Sequence, residues 1–403
     1  MALTPPTQPI RRLPNWIEAY MHFTRHHLAA DEFHLWTALG VLSVAINRNR
    51  WMDGGYYKTY PNLYILFIGP SGVGKSSSSG IGLEILKDAK LQINIFSDFI
   101  TAAALIDFMS LSTVLTEIDG VIEVKTPVMV YASEIGTLIN QRSSIRELTL
   151  ILTEMFNKNT DYENRTKGGG KTLIRNPNMT FFACCFPEWI NEELDSISLR
   201  SGFLGRILTI SSYKKRSRGD GKPTANDFEL RKNLVHDLAI IANQYGEMVW
   251  SCEAKKALDK WTATLPLDLT SDDTIEVQGF VSRKEQYVQR VAMLAAISRS
   301  TTNEISLTDF QFGMEMVEKC EVNARRLNVK PDYVVHLEKL RRNILRLKKK
   351  TKSNIISLRE ISQQTHTIMS KVQREEGIAQ LCSMGFCELV GRKINILDEK
   401  VGE

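Results

Sequence analysis

Between residues 14 and 47 apolar side chains recur at helical spacing. Trp16, Tyr20 and Phe23 share one face and Trp36, Leu39, Leu42 and Ile46 share the next, which predicts two helices whose aromatic residues belong to a core. The pattern then changes. Residues 62–68 form a short, mainly apolar run that enters a Gly-rich stretch, and from Ser76 through Leu86 the helical period resumes. Strand, loop and helix are therefore expected in that order. Residues 128–131, 179–183 and 206–211 are further apolar runs of strand length. Together they predict a parallel sheet covered by helices.

Between the runs 128–131 and 179–183, residues 161–176 are polar, Gly-rich and basic, with Arg165, Lys167, Lys171 and Arg175 around Gly168, Gly169 and Gly170. This composition predicts an exposed hairpin or mobile loop, and Lys167 and Lys171 are candidates for contact with DNA. From residue 225 to about residue 328 the period is helical, with helices expected over 227–245, 253–264, 281–298 and 308–326. Pro331 then precedes a basic helix. Ser357 and Glu360 have capping-box spacing at the start of a helix that leads through His366 into a second one over 367–384. Residues 386–390, a turn at Gly391-Arg392-Lys393 and residues 394–397 add a hairpin. A helix-turn-helix followed by a hairpin predicts a winged helix, from which Lys371, Arg374, Arg392 and Lys393 can reach a DNA backbone or groove. Winged helices also serve protein contacts.

The chain has 403 residues, more than one hydrophobic core usually organises, and its 43% hydrophobic and 24% charged residues are those of an ordinary globular protein. The net charge of +5 matters less than its concentration at Lys214, Lys215, Arg216 and Arg218 and over 341–352. Those clusters either meet phosphates or form solvated faces. Six cysteines without a CxxC pair and seven histidines without an HExxH spacing indicate neither a zinc site nor a disulfide framework. The apolar run over 38–46 is too short to span a bilayer. A cytoplasmic, unprocessed protein with no membrane partner is expected.

The chemistry is concentrated in Gly69-Pro70-Ser71-Gly72-Val73-Gly74-Lys75-Ser76, a GxxxxGK[ST] sequence followed by Ser77. Glycines let backbone N–H groups curl around phosphates, the lysine neutralises the terminal phosphates, and the hydroxyl ligates Mg²⁺. ATP and Mg²⁺ are thus the expected ligands, with Ser76 on the metal. Hydrolysis also needs a carboxylate to direct water, commonly at the end of a neighbouring strand. Glu134 is the candidate. Ser133 stands before it, where an aspartate usually helps to position the metal, and is a second metal candidate through a water. Arg206, after Ser201-Gly-Phe-Leu-Gly205 and at the expected opening of a strand, is the candidate arginine acting on the phosphate of a neighbouring subunit, with Arg200 as the alternative and a structural salt bridge as the competing role. Arg283 is a candidate for contact with the terminal phosphates of its own subunit, with Arg290 as the fallback.

Taken together, Phe33-His-Leu-Trp-Thr-Ala-Leu39, Ile46-Asn-Arg-Asn-Arg-Trp51, Tyr60-Pro-Asn-Leu-Tyr64, the Gly-rich loop, Ser133-Glu134, Pro187-Glu-Trp189 and Gly202-Phe-Leu-Gly-Arg206 resemble a family of phage- and mobile-element-encoded P-loop ATPases. That family is regarded as replicative or primase-associated helicases and is related to the AAA+ group. The Gly-Phe-Leu-Gly-Arg element is similar to the arginine-finger segment of MCM-type helicases. The resemblance implies an α/β, AAA+-like ATPase that forms a homo-oligomeric ring, a hexamer by expectation, with active sites between subunits. It also implies DNA, single-stranded or forked, as a partner, other replication proteins as further partners, and a place at the nucleoid of a bacterial host. Phe186 departs from the pattern, because related ATPases commonly place a polar phosphate-sensing residue before the proline. The expected plan is an N-terminal helical region over 1–55, a P-loop ATPase core over 56–224, a helical lid over 225–330, and a basic helix with the winged-helix domain over 331–403. Two rivals stand beside the helicase or initiator reading: an ATP-switched loader that assembles on DNA without unwinding it, and a small-molecule kinase.

Overall fold

Five strands whose central members are buried along their whole length build the sheet that carries the site. They are β1 (Tyr64–Ile68), β2 (Asn94–Ser97), β4 (Val121–Ala132), β5 (Pro177–Cys185) and β6 (Leu208–Ser211). The structure is a computed structural model describing residues 10–97, 101–118, 120–138, 142–166, 170–187, 202–216, 222–266, 275–326, 332–366 and 369–397. The sheet order is β6-β1-β5-β4-β2 and every neighbouring pair is parallel. Continuous apolar runs such as Tyr64–Ile68 fit this placement, since parallel strands are covered on both faces. β3 (Val114–Ile118) pairs antiparallel with the first half of β4, Val114 opposite Lys125, and so extends one strand beyond the parallel sheet as a hairpin.

Register fixes which residues emerge together. Ile68 lies opposite both Cys185 and Ser211, and Ala132 lies opposite Ala183. The loop after β1, the Ser133-Glu134 step after β4 and Phe186 after β5 therefore leave the same carboxyl edge, where open α/β sheets bind ligands. Leu208 lies opposite Ile65, so the chain just before β6 sits at the opposite, amino edge.

Helix α1 (Trp16–Phe23) and helix α2 (Asp31–Ile46) form where expected, α1 amphipathic and α2 apolar on nearly all sides, and Trp16 and Tyr20 stack fully buried at 5.5 Å. Asn15 caps α1 by accepting the backbone N–H groups of Ile17 and Glu18. α2 is buried along most of its length because it lies directly on the sheet. A Cβ at Gly40 would stand 3.1 Å from the Phe182 ring and 3.2 Å from Ile65. α3 (Lys75–Asp88) packs on α2 through Gly82, whose missing Cβ makes room for Thr37 and Val41.

Between residues 225 and 326 the described residues form five helices, α6 (Ala225–Ala242), α7 (Cys252–Thr262), α8 (Ile275–Val281), α9 (Lys284–Arg299) and α10 (Leu307–Arg326); α4 (Ala102–Leu111) and α5 (Arg142–Met155) precede them. The helix expected over 227–245 starts earlier because Thr224 and Asp227 form a capping box. The helix expected over 281–298 is α9, starting after Arg283, and α8 is a further helix that precedes it. The basic stretch 161–176 is a hairpin, Tyr162–Thr166 paired with Gly170–Ile174. No helix among the described residues is long and apolar enough to cross a membrane.

The chain divides into two compact units, the larger holding the described residues up to 187 and from 202 to 326, the smaller those from 332 onward. In the smaller unit α11 (Asp332–Thr351), α12 (Leu358–Thr365) and α13 (Lys371–Ser383) enclose a core of Leu340, Ile344, Ile356, Ile361, Leu381, Phe386 and Ile394 with a three-stranded antiparallel sheet, Ile355–Ser357, Lys393–Ile396 and Cys387–Val390. Ser357 and Glu360 close the expected capping box. The next helix starts at Lys371, later than expected, because Ser370 and Gln373 form a second box there. The hairpin turn carries Gly391 at φ 64°.

Candidate functional site

The Gly-rich loop needs its glycines for steric reasons that the structure makes explicit. Gly72 and Gly74 have φ of 80° and 90°, the left-handed region that side chains resist. A Cβ at Gly74 would also lie 2.6 Å from that of Ala29, and one at Gly69 would lie 2.6 Å from the Ser212 carbonyl oxygen. Gly74 is the N-cap of α3, so the unsatisfied N–H groups and positive end of that helix open onto a cavity of about 280 Å³. Ser71, Lys75, Ser76, Ser133, Glu134 and Phe186 line it.

Lys75 donates from Nζ to the carbonyl oxygens of Gly69 at 2.5 Å and Pro70 at 2.8 Å, and its ammonium sits 4.8 Å from the centre of the Phe186 ring. Burial lowers its pKa, opposed by Cys184, Cys185 and Glu134. A desolvated ammonium held by neutral oxygens gains from an anion brought beside it. The Ser76 hydroxyl donates to the Ser133 carbonyl oxygen at 2.8 Å, which joins the start of α3 to the end of β4. Glu134 stands exposed in the wall of the same cavity. Among the described residues no three His, Cys, Asp or Glu side chains gather as a metal site. The oxygens of Ser76, Ser133 and Glu134 are hard donors of the kind Mg²⁺ takes together with phosphate and water.

The structure brings Gly69, Pro70, Ser71, Gly72, Val73, Gly74, Lys75, Ser76, Ser77, Ser133 and Glu134 to one edge. It does not bring Arg206 or Arg283 there. Arg206 does not open a strand; it ends a 3₁₀ turn, Leu204–Arg206, at the amino edge, where its guanidinium donates to the Gly202 carbonyl at 2.5 Å. No carboxylate pairs with Arg206 among the described residues, and its buried Nε has no hydrogen-bond partner there. Burial, then the nearby Arg283, lower its pKa. Arg283, expected at the phosphates of its own subunit, instead lies beside Arg206 and donates to the Gly279 carbonyl at 2.5 Å. The cause is packing: Gly205 meets Gly279 so closely that a Cβ would stand 3.0 Å from its Cα, and the Tyr287 hydroxyl donates to the Gly205 carbonyl. Arg290 is buried, bonded to Asn62 and Asn157 and over the Phe156 ring at 4.2 Å, which makes it a structural residue. Arg200 lies outside the described residues.

Two cationic positions at the carboxyl edge were not singled out from the motif. Lys215 Nζ lies 3.9 Å from where a Cβ of Gly72 would be. Arg326, at the end of α10, lines an adjoining cavity of about 360 Å³ with Ile68, Ser211, Tyr213, Lys214 and Asn323. Asn323 fixes that helix end to β6, donating to the Thr209 carbonyl at 3.1 Å and accepting from Ser211 at 2.9 Å. The basic run Lys214-Lys215-Arg216 was the available signal; for Arg326 there was none, because α10 is remote from the loop in sequence.

Of the DNA candidates, Lys171 is exposed on the hairpin but paired with Glu163 at 2.8 Å, and Lys167 lies outside the described residues. Lys371, Arg392 and Lys393 are exposed in the smaller unit. Arg374 is not presented for contact: it is buried and donates to the Thr365 hydroxyl at 3.1 Å, because position 374 falls on the inner face of α13.

Comparison with protein-family models and with curated proteins finds no match to this sequence.

Proposed function

We propose that the chain is an AAA+-like ATPase acting on DNA, a replicative helicase or replication initiator of a phage or mobile element, working as a homo-oligomeric ring. The observation that carries this reading is the single cavity joining the α3 N-terminus, Lys75, Ser76 and Glu134. ATP phosphates there replace the Gly69 and Pro70 carbonyls as partners of Lys75, and Ser76 would hold Mg²⁺, which would supply positive charge against the phosphates. Glu134 accepts a proton from the water that attacks the terminal phosphorus; the bond to the bridging oxygen breaks and ADP leaves. Arg206 and Arg283, close together without an ion pair among the described residues, suit an anion offered by a neighbouring subunit. The helices after residue 225 act as a lid, and the smaller unit acts as a winged helix, with Lys371, Arg392 and Lys393 toward DNA.

Phe186 and Ser133 at the cavity wall favour a second reading, an ATP-switched loader with slow turnover. One assay separates the two: phosphate release with and without single-stranded and duplex DNA for wild type, Lys75→Ala and Glu134→Gln. DNA-stimulated turnover lost in both variants, with nucleotide still bound by Glu134→Gln, supports the motor. Nucleotide binding with turnover indifferent to DNA supports the loader, and absence of nucleotide binding defeats both.

A further inference from the structure

The amino edge of the sheet carries features that the ATPase reading does not use. Strands Arg50–Asp53 and Lys58–Thr59 pair antiparallel, Asp53 opposite Lys58, as a small hairpin. Its tip is set by Gly55 at φ 83°, whose N–H donates to Asp53 Oδ1 at 2.8 Å, and by a Gly54 N–H bond to the Tyr57 carbonyl at 3.0 Å. This turn holds Tyr56 fully exposed and Tyr57 half-exposed. Two adjacent tyrosines at the tip of a polar hairpin contribute nothing to a core.

Tyr57 lines the first of two cavities, of about 320 and 680 Å³, which share Lys58, Tyr60 and Asn159 and so adjoin as one trough. The trough is lined by the cations Arg48, Lys58, Lys125, Lys158, Arg175 and Arg290, against the carboxylates Glu123 and Asp161. Both carboxylates are already engaged. Asp161 accepts from Arg175 at 2.6 Å and from the Asn176 N–H at 3.0 Å, and Glu123 accepts from the Tyr245 hydroxyl at 2.7 Å. Arg48 and Arg290 hold backbone carbonyls. Lys58 and Lys125 make no ion pair among the described residues. Lys58 rests over Trp51 at 4.3 Å, and Lys125 is buried with the Asn49 side-chain oxygen as its partner. Burial brings the Lys125 ammonium down to about 8, the response of a cation that a bound anion would relieve.

Exposed aromatic faces beside a cationic trough suit unpaired bases and a phosphodiester backbone. We infer that the Tyr56-Tyr57 hairpin and the adjoining trough form a binding site for single-stranded DNA, bases stacking on the tyrosines and phosphates meeting the exposed Lys58. The inference rests on the reading of the chain as a DNA-acting protein and places one strand at the sheet edge opposite the nucleotide.

The test is photocrosslinking of the full chain, without nucleotide, to a single-stranded oligonucleotide carrying 5-iododeoxyuridine, followed by tryptic mapping. The expected adduct lies on the peptide from Trp51 to Lys58. Tyr56→Ala/Tyr57→Ala should abolish it and weaken fluorescence-anisotropy binding of labelled oligo(dT) about tenfold, while Tyr56→Phe/Tyr57→Phe keeps both. Lys58→Ala should reduce the salt dependence by about 0.7 in log–log slope, one phosphate contact. Duplex DNA, whose bases are stacked internally, should give no adduct on that peptide. Crosslinks confined to residues beyond 332, or equal crosslinking of duplex at the hairpin, overturn the site and leave the DNA reading standing. Nucleotide binding with no crosslink anywhere removes the DNA reading together with the site.

Discussion

The two edges of the parallel sheet are built in contrasting ways. At the carboxyl edge a contiguous octapeptide supplies most of the candidate phosphate site, and its lysine is satisfied by carbonyls of its own loop. At the amino edge, Arg48, Lys58, Lys125, Arg206, Arg283 and Arg290 come from several separate segments, and the close Arg206 and Arg283 make no ion pair among the described residues. A loop on a helix N-terminus can bind an anion by itself. The amino edge gathers cations that only packing brings together.

The largest expected effect tests whether the amino edge belongs to the active site of a neighbour. Arg206→Ala should lower turnover by about 10³-fold with nucleotide affinity retained, the scale of an arginine acting on the transferred phosphoryl group. Mixing Arg206→Ala with Lys75→Ala should restore part of the activity, because some interfaces then pair an intact loop with an intact arginine. No recovery, with both variants assembled as wild type, would refute action in trans and leave Arg206 as a structural group.

At the carboxyl edge Gly74→Ala is the sharper probe. The new methyl group meets Ala29 and the backbone must hold φ near 90°, so nucleotide affinity should fall about tenfold or more, with about 1–3 kcal/mol lost from stability by the strained conformation. Titration with a fluorescent ATP analogue reads the first, and urea unfolding the second. Oligonucleotide crosslinking at Tyr56 and Tyr57 should be unchanged. If both ligands are lost together, the edges are not independent.

Legibility in the sequence follows the same division. The strand, Gly-rich loop and helix, and the place of Glu134 after a strand end, were readable because each is a local pattern, and Val128 to Tyr131 was apolar enough to declare a buried strand. Arg283 was misplaced because position along a helix does not say which sheet edge that helix end approaches; the contact of Gly205 with Gly279 decides it. Arg374 was misread because a basic residue near a helix start looks solvated until its inward face is known. The first two strands of the trough were missed because Arg50–Asp53 and Lys58–Thr59 are short and polar, with hardly any hydrophobic period to detect.

The smallest expected effect concerns what supports the cradle from below. Ala29, against which Gly74 packs, belongs to the α1–α2 connection, and that connection is braced at both sides. Arg216 donates to the Thr24 carbonyl at 2.6 Å and pairs with Asp31, while Arg25 pairs with the fully buried Asp227. Burial acts to raise the Asp227 pKa, but the Thr224 N–H, Arg25 and the Thr224 hydroxyl more than offset it and hold the carboxyl at about 2. A folded value below the unfolded one means the stabilisation is complete above pH about 4 and is lost as pH falls toward about 2. Asp227→Asn should therefore cost about 1–3 kcal/mol near neutral pH, and the gap between variant and wild type in urea unfolding should close as pH falls through that window. Because the brace lies under the loop and not under the amino edge, the same variant should weaken nucleotide binding a few-fold while leaving the Tyr56-Tyr57 adduct intact. A gap that persists at pH about 2 would show that the carboxylate charge is not what holds the connection.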